Sequence, residues 1–210
     1  MGLLARAMTA AEARPIRESI TGDDSTMTTW QIDSTHSHVE FAVRHLMIST
    51  VRGRFGALAG TVELDEQNPA QLKLSVAIDA ASIDTREERR DAHLRSADFL
   101  ETSRFPVIAF DGVGVTGDIS DRFQLRGNLT IHGVTQPVTL EVTSEGRGND
   151  PWGNERAGYS ARTRIRRSDF GLTWNQLLEA GGVAVGDEIK ITIDVELVRQ
   201  VEAASVTAAV

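Results

Sequence analysis

Apolar and polar residues alternate with a period of two along most of the chain, the signature of strands with one dry and one wet face. In residues 30–64, WQIDSTHSHVEFAVRHLMISTVRGRFGALAGTVEL, one side of an extended backbone carries Val39, Phe41, Val43 and His45, and the other His38, Glu40, Ala42 and Arg44. The pattern returns in 71–83, where Leu72, Leu74, Val76 and Ile78 oppose Lys73, Ser75, Ala77 and Asp79. In 123–131, Phe123, Leu125, Gly127, Leu129 and Ile131 oppose Gln124, Arg126, Asn128 and Thr130. The cleanest run is 189–197, with Ile189, Ile191, Ile193, Val195 and Leu197 on one face against Lys190, Thr192, Asp194 and Glu196. Further strands are predicted at 107–115, 138–144 and 157–166, with turns at Gly117-Asp118, His132-Gly133 and Asn149-Asp150-Pro151. About eight or nine strands joined mostly by short turns predict an all-β fold rather than alternating βαβ units. A closed antiparallel sheet follows, and with it the question of whether side chains or a ligand fill the interior.

Two interruptions carry helical signals. Residues 85–99, TREERRDAHLRSADF, are charged, lack β-branched residues after Thr85, and offer Ala92, Leu94, Ala97 and Phe99 as a narrow apolar stripe. A helix there would cap one barrel end. A shorter helix is predicted at 174–180, WNQLLEA, stopped by Gly181-Gly182. Residues 1–29 read as a disordered or weakly helical extension, 30–200 as the barrel domain and 201–210 as a flexible tail, with Met27 a second candidate start.

Composition narrows the function classes. The formal net charge of −8 over 210 residues argues against a nucleic-acid partner held by phosphate neutralisation. No cysteine is present, so disulfides, thiolate nucleophiles and cysteine-metal sites are excluded. No window is apolar enough to span a bilayer as a helix. Arg6, Glu12, Arg14, Arg17 and Glu18 interrupt any export-type apolar run, which makes a cytoplasmic location the plain expectation. Met1-Gly2 is no myristoylation signal, because Arg6 stands where Ser or Thr is required.

Candidate chemistry is sparse. His36, His38 and Glu40 alternate, and in a strand they would share one face, so a metal-dependent enzyme built on that triad is one reading; turn-forming, hydrogen-bonding histidines are the other. Arg162, Arg164 and Arg166 share a face, and Arg44, Arg52 and Arg54 form a second basic group. Such stripes pair with carboxylates across strands, or contact an anionic head group at a barrel mouth. There is no G-x-S-x-G elbow, no H-E-x-x-H and no glycine-rich phosphate loop, and the neighbouring carboxylates Asp23-Asp24 and Glu87-Glu88 cannot converge on one bond.

Several blocks resemble the YceI family: Trp30-Gln31-Ile32-Asp33 with His36-Ser37, Val39, Phe41 and Val43-Arg44-His45; then 49–55, STVRGRF; 81–85, ASIDT; 90–100, RDAHLRSADFL; 105–110, FPVIAF; 127–135, GNLTIHGVT; and 167–172, RSDFGL. They stand in the family's order over about 30–200. The resemblance implies an eight-stranded antiparallel lipocalin-like barrel with one or two short helices, acting without catalysis and without a cofactor. Its implied ligand is a long amphiphile such as a polyisoprenoid or isoprenoid quinone, carried or stored in the cavity; a homodimer is implied by analogy. An eight-stranded barrel can hold one small ligand, and apolar inner faces would bury such a tail. The expected lining is Phe41, Val43, Leu74, Val76, Ile78, Phe110, Leu125, Leu129, Leu140, Ile165, Ile191 and Ile193, and the head-group candidates are His38, Arg44, His45 and Arg54. Many members carry an export signal where this chain has a polar extension, so a cytoplasmic lipid-binding role is preferred. A filled barrel serving as an interaction protein is the remaining alternative.

Overall fold

The structure, a computed structural model, describes residues 27–65, 67–177 and 182–200. Its strands are β1 (Met27–Ile32), β2 (His38–His45), β3 (Ser49–Phe55), β4 (Leu58–Asp65), β5 (Lys73–Asp79), β6 (Ile83–Asp84), β7 (Val107–Gly117), β8 (Arg122–Ile131), β9 (Val134–Asn149), β10 (Glu155–Arg166) and β11 (Val185–Gln200). Every pairing is antiparallel. Three pairs of these strands are halves of single passes. β1 and β2 lie along the same edge of β11, with Ile32 opposite Leu197 and His38 opposite Asp194. β3–β4 and β5–β6 are likewise nearly continuous, which leaves eight passes in a meander that closes where β1 meets β11. Closure leaves the eight passes no free edge to pair with another chain.

The breaks within passes follow from local chemistry. At 33–37 the Asp33 side chain accepts from Thr35 N–H at 2.9 Å and meets His36 Nδ1 at 2.9 Å, so the backbone turns out of the ladder. At Gly56-Ala57 both N–H groups donate to Ser82 Oγ, at 3.2 and 3.3 Å. Ser82 belongs to the 3₁₀ turn Ala80–Ser82, whose first residues are held by Asp79 accepting from Ala81 N–H at 2.9 Å. Two adjacent passes therefore bend at the same level.

The predicted helix at 85–99 is realised as α1, Glu88–Arg95, N-capped by Glu87, whose carboxylate accepts from Arg89 and Arg90 N–H at 3.1 and 2.7 Å. Buried Asp91 accepts from Thr85 N–H at 2.9 Å, and Arg95 reaches back to the Ala81 and Ile83 carbonyls at 2.8 and 2.6 Å. These bonds tie α1 across one barrel end, with Leu94, Phe99 and Leu100 turned inward. The helix expected at 174–180 is not formed over its described part: 174–176 is irregular and Leu177 pairs with Val183 in an isolated bridge. The Arg167 guanidinium binds that segment's backbone instead, donating to Leu172 O and to Trp174 O at 2.9 Å, and it also donates to Gly186 O at 3.0 Å. Residues 178–180 lie outside the described residues, as do the tail at 201–210 and all of the expected 1–29 extension except 27–29, which begin β1.

Candidate functional site

Inward-facing residues of all eight passes surround a cavity of about 300 Å³ lined almost wholly by apolar side chains. Polar atoms reach its wall only from Trp30, Arg147, Tyr159, Thr163 and Arg167. All twelve residues expected to line a cavity do so: Phe41, Val43, Leu74, Val76, Ile78, Phe110, Leu125, Leu129, Leu140, Ile165, Ile191 and Ile193. Sequence periodicity alone passed over others. Trp30, Ile32, Val62 and Leu64 stand on the wall through an alternation hidden by the break at 33–37, and Phe170 enters from the 3₁₀ turn Arg167–Phe170, where no period marks it. Two glycines make room for aromatic rings. A Cβ at Gly127 would stand 2.2 Å from Phe110 Cζ, and one at Gly53 would stand 2.4 Å from Phe41 Cζ, so each ring lies flat over a neighbouring strand rather than across the cavity.

Burial varies along the wall. Trp30 is 2% exposed, and Ile32, Ala157 and Leu197 around it are also buried. Arg147 stands over the Trp30 ring, 5.3 Å from its centroid. Along β11 the inward residues from Val195 back through Ile193, Ile191 and Ile189 to Val185 are only half-buried, as are Phe41 and Val43 on β2 and Thr163 and Ile165 on β10. In a filled barrel such residues would have lost their accessible surface. The accessible strip runs from the Leu197 end toward the β2–β3 hairpin.

The polar wall groups are mostly committed. Thr163 Oγ1 donates to Thr139 O at 2.9 Å, and burial pushes the Arg167 guanidinium below its ordinary pKa while its carbonyl partners hold it in place. Three of the four head-group candidates face outward. His38 pairs with Asp194 across strands at 3.2 Å, Arg54 with Asp84 at 3.2 Å, and Arg44 donates to Thr50 Oγ1 at 3.3 Å and to the Met47 carbonyl. His45 is the exception. It continues the inward row of Val39, Phe41 and Val43 and is half-buried where the accessible strip meets the hairpin.

His36, His38 and Glu40 are not brought together as a triad. His36 turns to Asp33, His38 to Asp194, and Glu40 stands on the outer face opposite Arg54. Among the described residues, the cluster dense enough in ligand atoms to hold a metal is Asp33, His36 and Glu196. A guanidinium already sits there: Arg156 donates to Asp33 Oδ2 at 2.8 Å, to Asp150 Oδ2 at 2.9 Å and to Glu196 Oε1. The bonds from His36 and Arg156 hold the Asp33 carboxyl well below the usual carboxylate range, and the Asp33 bond raises His36. The cluster ties β1, β10 and β11 together at the break in the first pass.

The family model for the YceI-like domain matches residues 30–197. The chain belongs to the YceI-like family. This YceI-like chain is 40% identical over 168 residues to Protein YceI of Escherichia coli O157:H7, covering 80% of this chain and 84% of that protein. Among solved structures, the Campylobacter jejuni YCEI protein superposes with a TM-score of 0.63 at 29% identity, covering 75% of this chain and 90% of that one. Two more distant barrels share the fold of this YceI-like chain. Burkholderia cenocepacia BcnA matches with a TM-score of 0.68 at 21% identity over 79% of this chain and 98% of its own. A polyisoprenoid binding domain from Saccharophagus degradans matches with a TM-score of 0.60 at 16% identity over 81% and 98%.

Proposed function

We propose that the barrel binds the apolar tail of a long amphiphile, of the polyisoprenoid or isoprenoid-quinone class, and carries or stores it without chemical change. The observation that carries this reading is the hollow interior: a cavity of about 300 Å³ with an apolar lining that keeps accessible surface along β2, β10 and β11. Each CH₂ moved from water into such a lining contributes about 0.8 kcal/mol, so tail length sets affinity and few polar contacts are needed. The tail would reach toward Trp30, and the head group would remain at the hairpin end beside His45. The shared fold with a polyisoprenoid binding domain supports the reading. Purification under native conditions, organic extraction and mass spectrometry test it. Recovery of a near-stoichiometric polyprenyl compound, or its uptake by the emptied protein, is expected; a protein that neither carries nor takes up any such compound would overturn the proposal.

A further inference from the structure

The turn from β2 to β3 is built from residues that its backbone does not favour. Leu46 and Met47 have φ of 50° and 60°, and Ile48 N–H donates to His45 O at 3.2 Å. Two successive positive φ values suit Asn or Gly. The β8–β9 hairpin meets the same demand with His132-Gly133, at φ of 53° and 74°. At the β2–β3 tip the chain instead displays apolar side chains: Leu46 is 36% exposed, Met47 54% and Ile48 81%. Leu177, 83% exposed, lies on the adjoining loop, which is tied to the tip by Leu46 N–H donating to Ala184 O at 2.8 Å. Backbone strain combined with exposed apolar surface gains nothing for folding, and such combinations mark interaction sites.

The sheet surface beside this tip is basic. Arg44 and Arg52 on β2 and β3, Arg164 and Arg166 on β10 and Lys190 on β11 all stand on the outer face, with the carboxylates Glu188 and Glu40 among them. Among the described residues only Arg164 of these five makes an ion pair, with Glu188 at 3.7 Å. This local excess of cations occurs in a chain of formal charge −8. The tip also adjoins the accessible strip: Val43 and Val185 line the cavity, and Val185 lies opposite His45.

We infer that the β2–β3 hairpin end docks on an anionic lipid bilayer, Leu46, Met47, Ile48 and Leu177 entering the headgroup boundary while the basic wall faces lipid phosphates. Apolar insertion and a flanking basic surface are the two signals that reversible bilayer binding needs, and here they adjoin. Docking goes beyond the proposed cargo and is read from the lip and the charges alone.

Flotation of the full chain with phosphatidylcholine vesicles, with and without phosphatidylglycerol, tests the inference. Binding is expected to the anionic vesicles and to fall with salt. A Leu46→Asn/Met47→Gly/Ile48→Thr variant should lose about tenfold or more in vesicle affinity while melting at the same or a higher temperature, because Asn and Gly relieve the turn. An Arg52→Glu/Lys190→Glu variant should lose at least about tenfold with the lip intact. No partition onto either vesicle, or partition that neither variant weakens, would overturn the inference. So would self-association in analytical ultracentrifugation that the lip variant abolishes, since a second copy would then be the occupant. Extraction of bound amphiphile from the same preparations separates the two proposals: a loaded protein that ignores vesicles refutes docking alone, and a docking protein that never loads refutes the cargo alone.

Discussion

The cluster packed around Trp30 and the accessible strip along β11 are made of the same residue types, yet they are packed differently. Around Trp30, the side chains of Ile32, Val62, Leu64, Ala157 and Leu197 are all buried and fill the space between passes. Along the strip, Val43, Ile165, Ile189, Ile191 and Ile193 face the same interior and remain half-buried, because nothing opposes them across the cavity. The first region holds the barrel together by contact. The second leaves apolar surface unsatisfied, which folding alone does not reward and a ligand tail would cover.

Substitutions should separate the two regions by size of effect. Trp30→Ala in the packed cluster should cost about 3–5 kcal/mol in urea unfolding, since it empties a packed site. Arg167→Met comes next, at about 1–3 kcal/mol, because it strips hydrogen bonds from the half-buried carbonyls of Leu172, Trp174 and Gly186. Ile191→Ala in the strip should cost only about 1 kcal/mol, enlarging a void that already exists rather than opening one. Equal costs at Trp30 and Ile191 would mean that the two regions do not differ. Ala161→Trp, on the inner face of β10, should cost about 1–3 kcal/mol while the protein stays folded, yet reduce uptake of a polyprenyl probe by about tenfold or more, as followed by probe fluorescence.

The smallest effects concern pH and the cluster beneath the first break. Asp33 and Asp150 are held below the usual carboxylate range, each chiefly by a side-chain hydrogen bond, from His36 to Asp33 and from Asn154 to Asp150, with Arg156 also bonded to both. Their contribution to stability is therefore present above about pH 4 and is lost as pH falls through their lower folded values. His36 has the opposite sign. Its raised pKa gives a contribution that is full below about pH 6.5 and lost as pH rises through the folded value. Urea midpoints measured across pH should thus fall at the acid end, and Asp33→Asn should flatten that limb; an unchanged acid limb in the variant would remove the cluster from the account.

The strand rhythm made most of the barrel legible, because a hollow interior still demands one apolar residue in two on every pass. All twelve expected lining residues rest on that rule and on the resemblance, and all face the cavity. The rule gave no warning of the breaks at 33–37 and 56–57, where side-chain bonds from Asp33 and Ser82 displace the ladder. It could not place arginines either, since period two says which residues share a face but not which face is inside; Arg44 and Arg54 are outside. The segment at 174–177 carries helix-forming residues, but hydrogen bonding of its backbone to Arg167 and the bridge from Leu177 to Val183 override that propensity. The turn at Leu46-Met47 violates local preference, and such violations are where function is expected to show.

An amphiphile's tail that fills the cavity would end beside Trp30. Trp30 is the one tryptophan on the cavity wall, so a Trp152→Phe/Trp174→Phe variant reports from that position alone. Titrated with a polyprenyl amphiphile brominated at its tail end, the variant should show saturable, near-stoichiometric quenching of Trp30 fluorescence, removed by Ala161→Trp's smaller partner substitution Ala161→Phe as the cavity fills. Fluorescence that is indifferent to the brominated tail, while the protein remains folded, would rule out a tail beside Trp30.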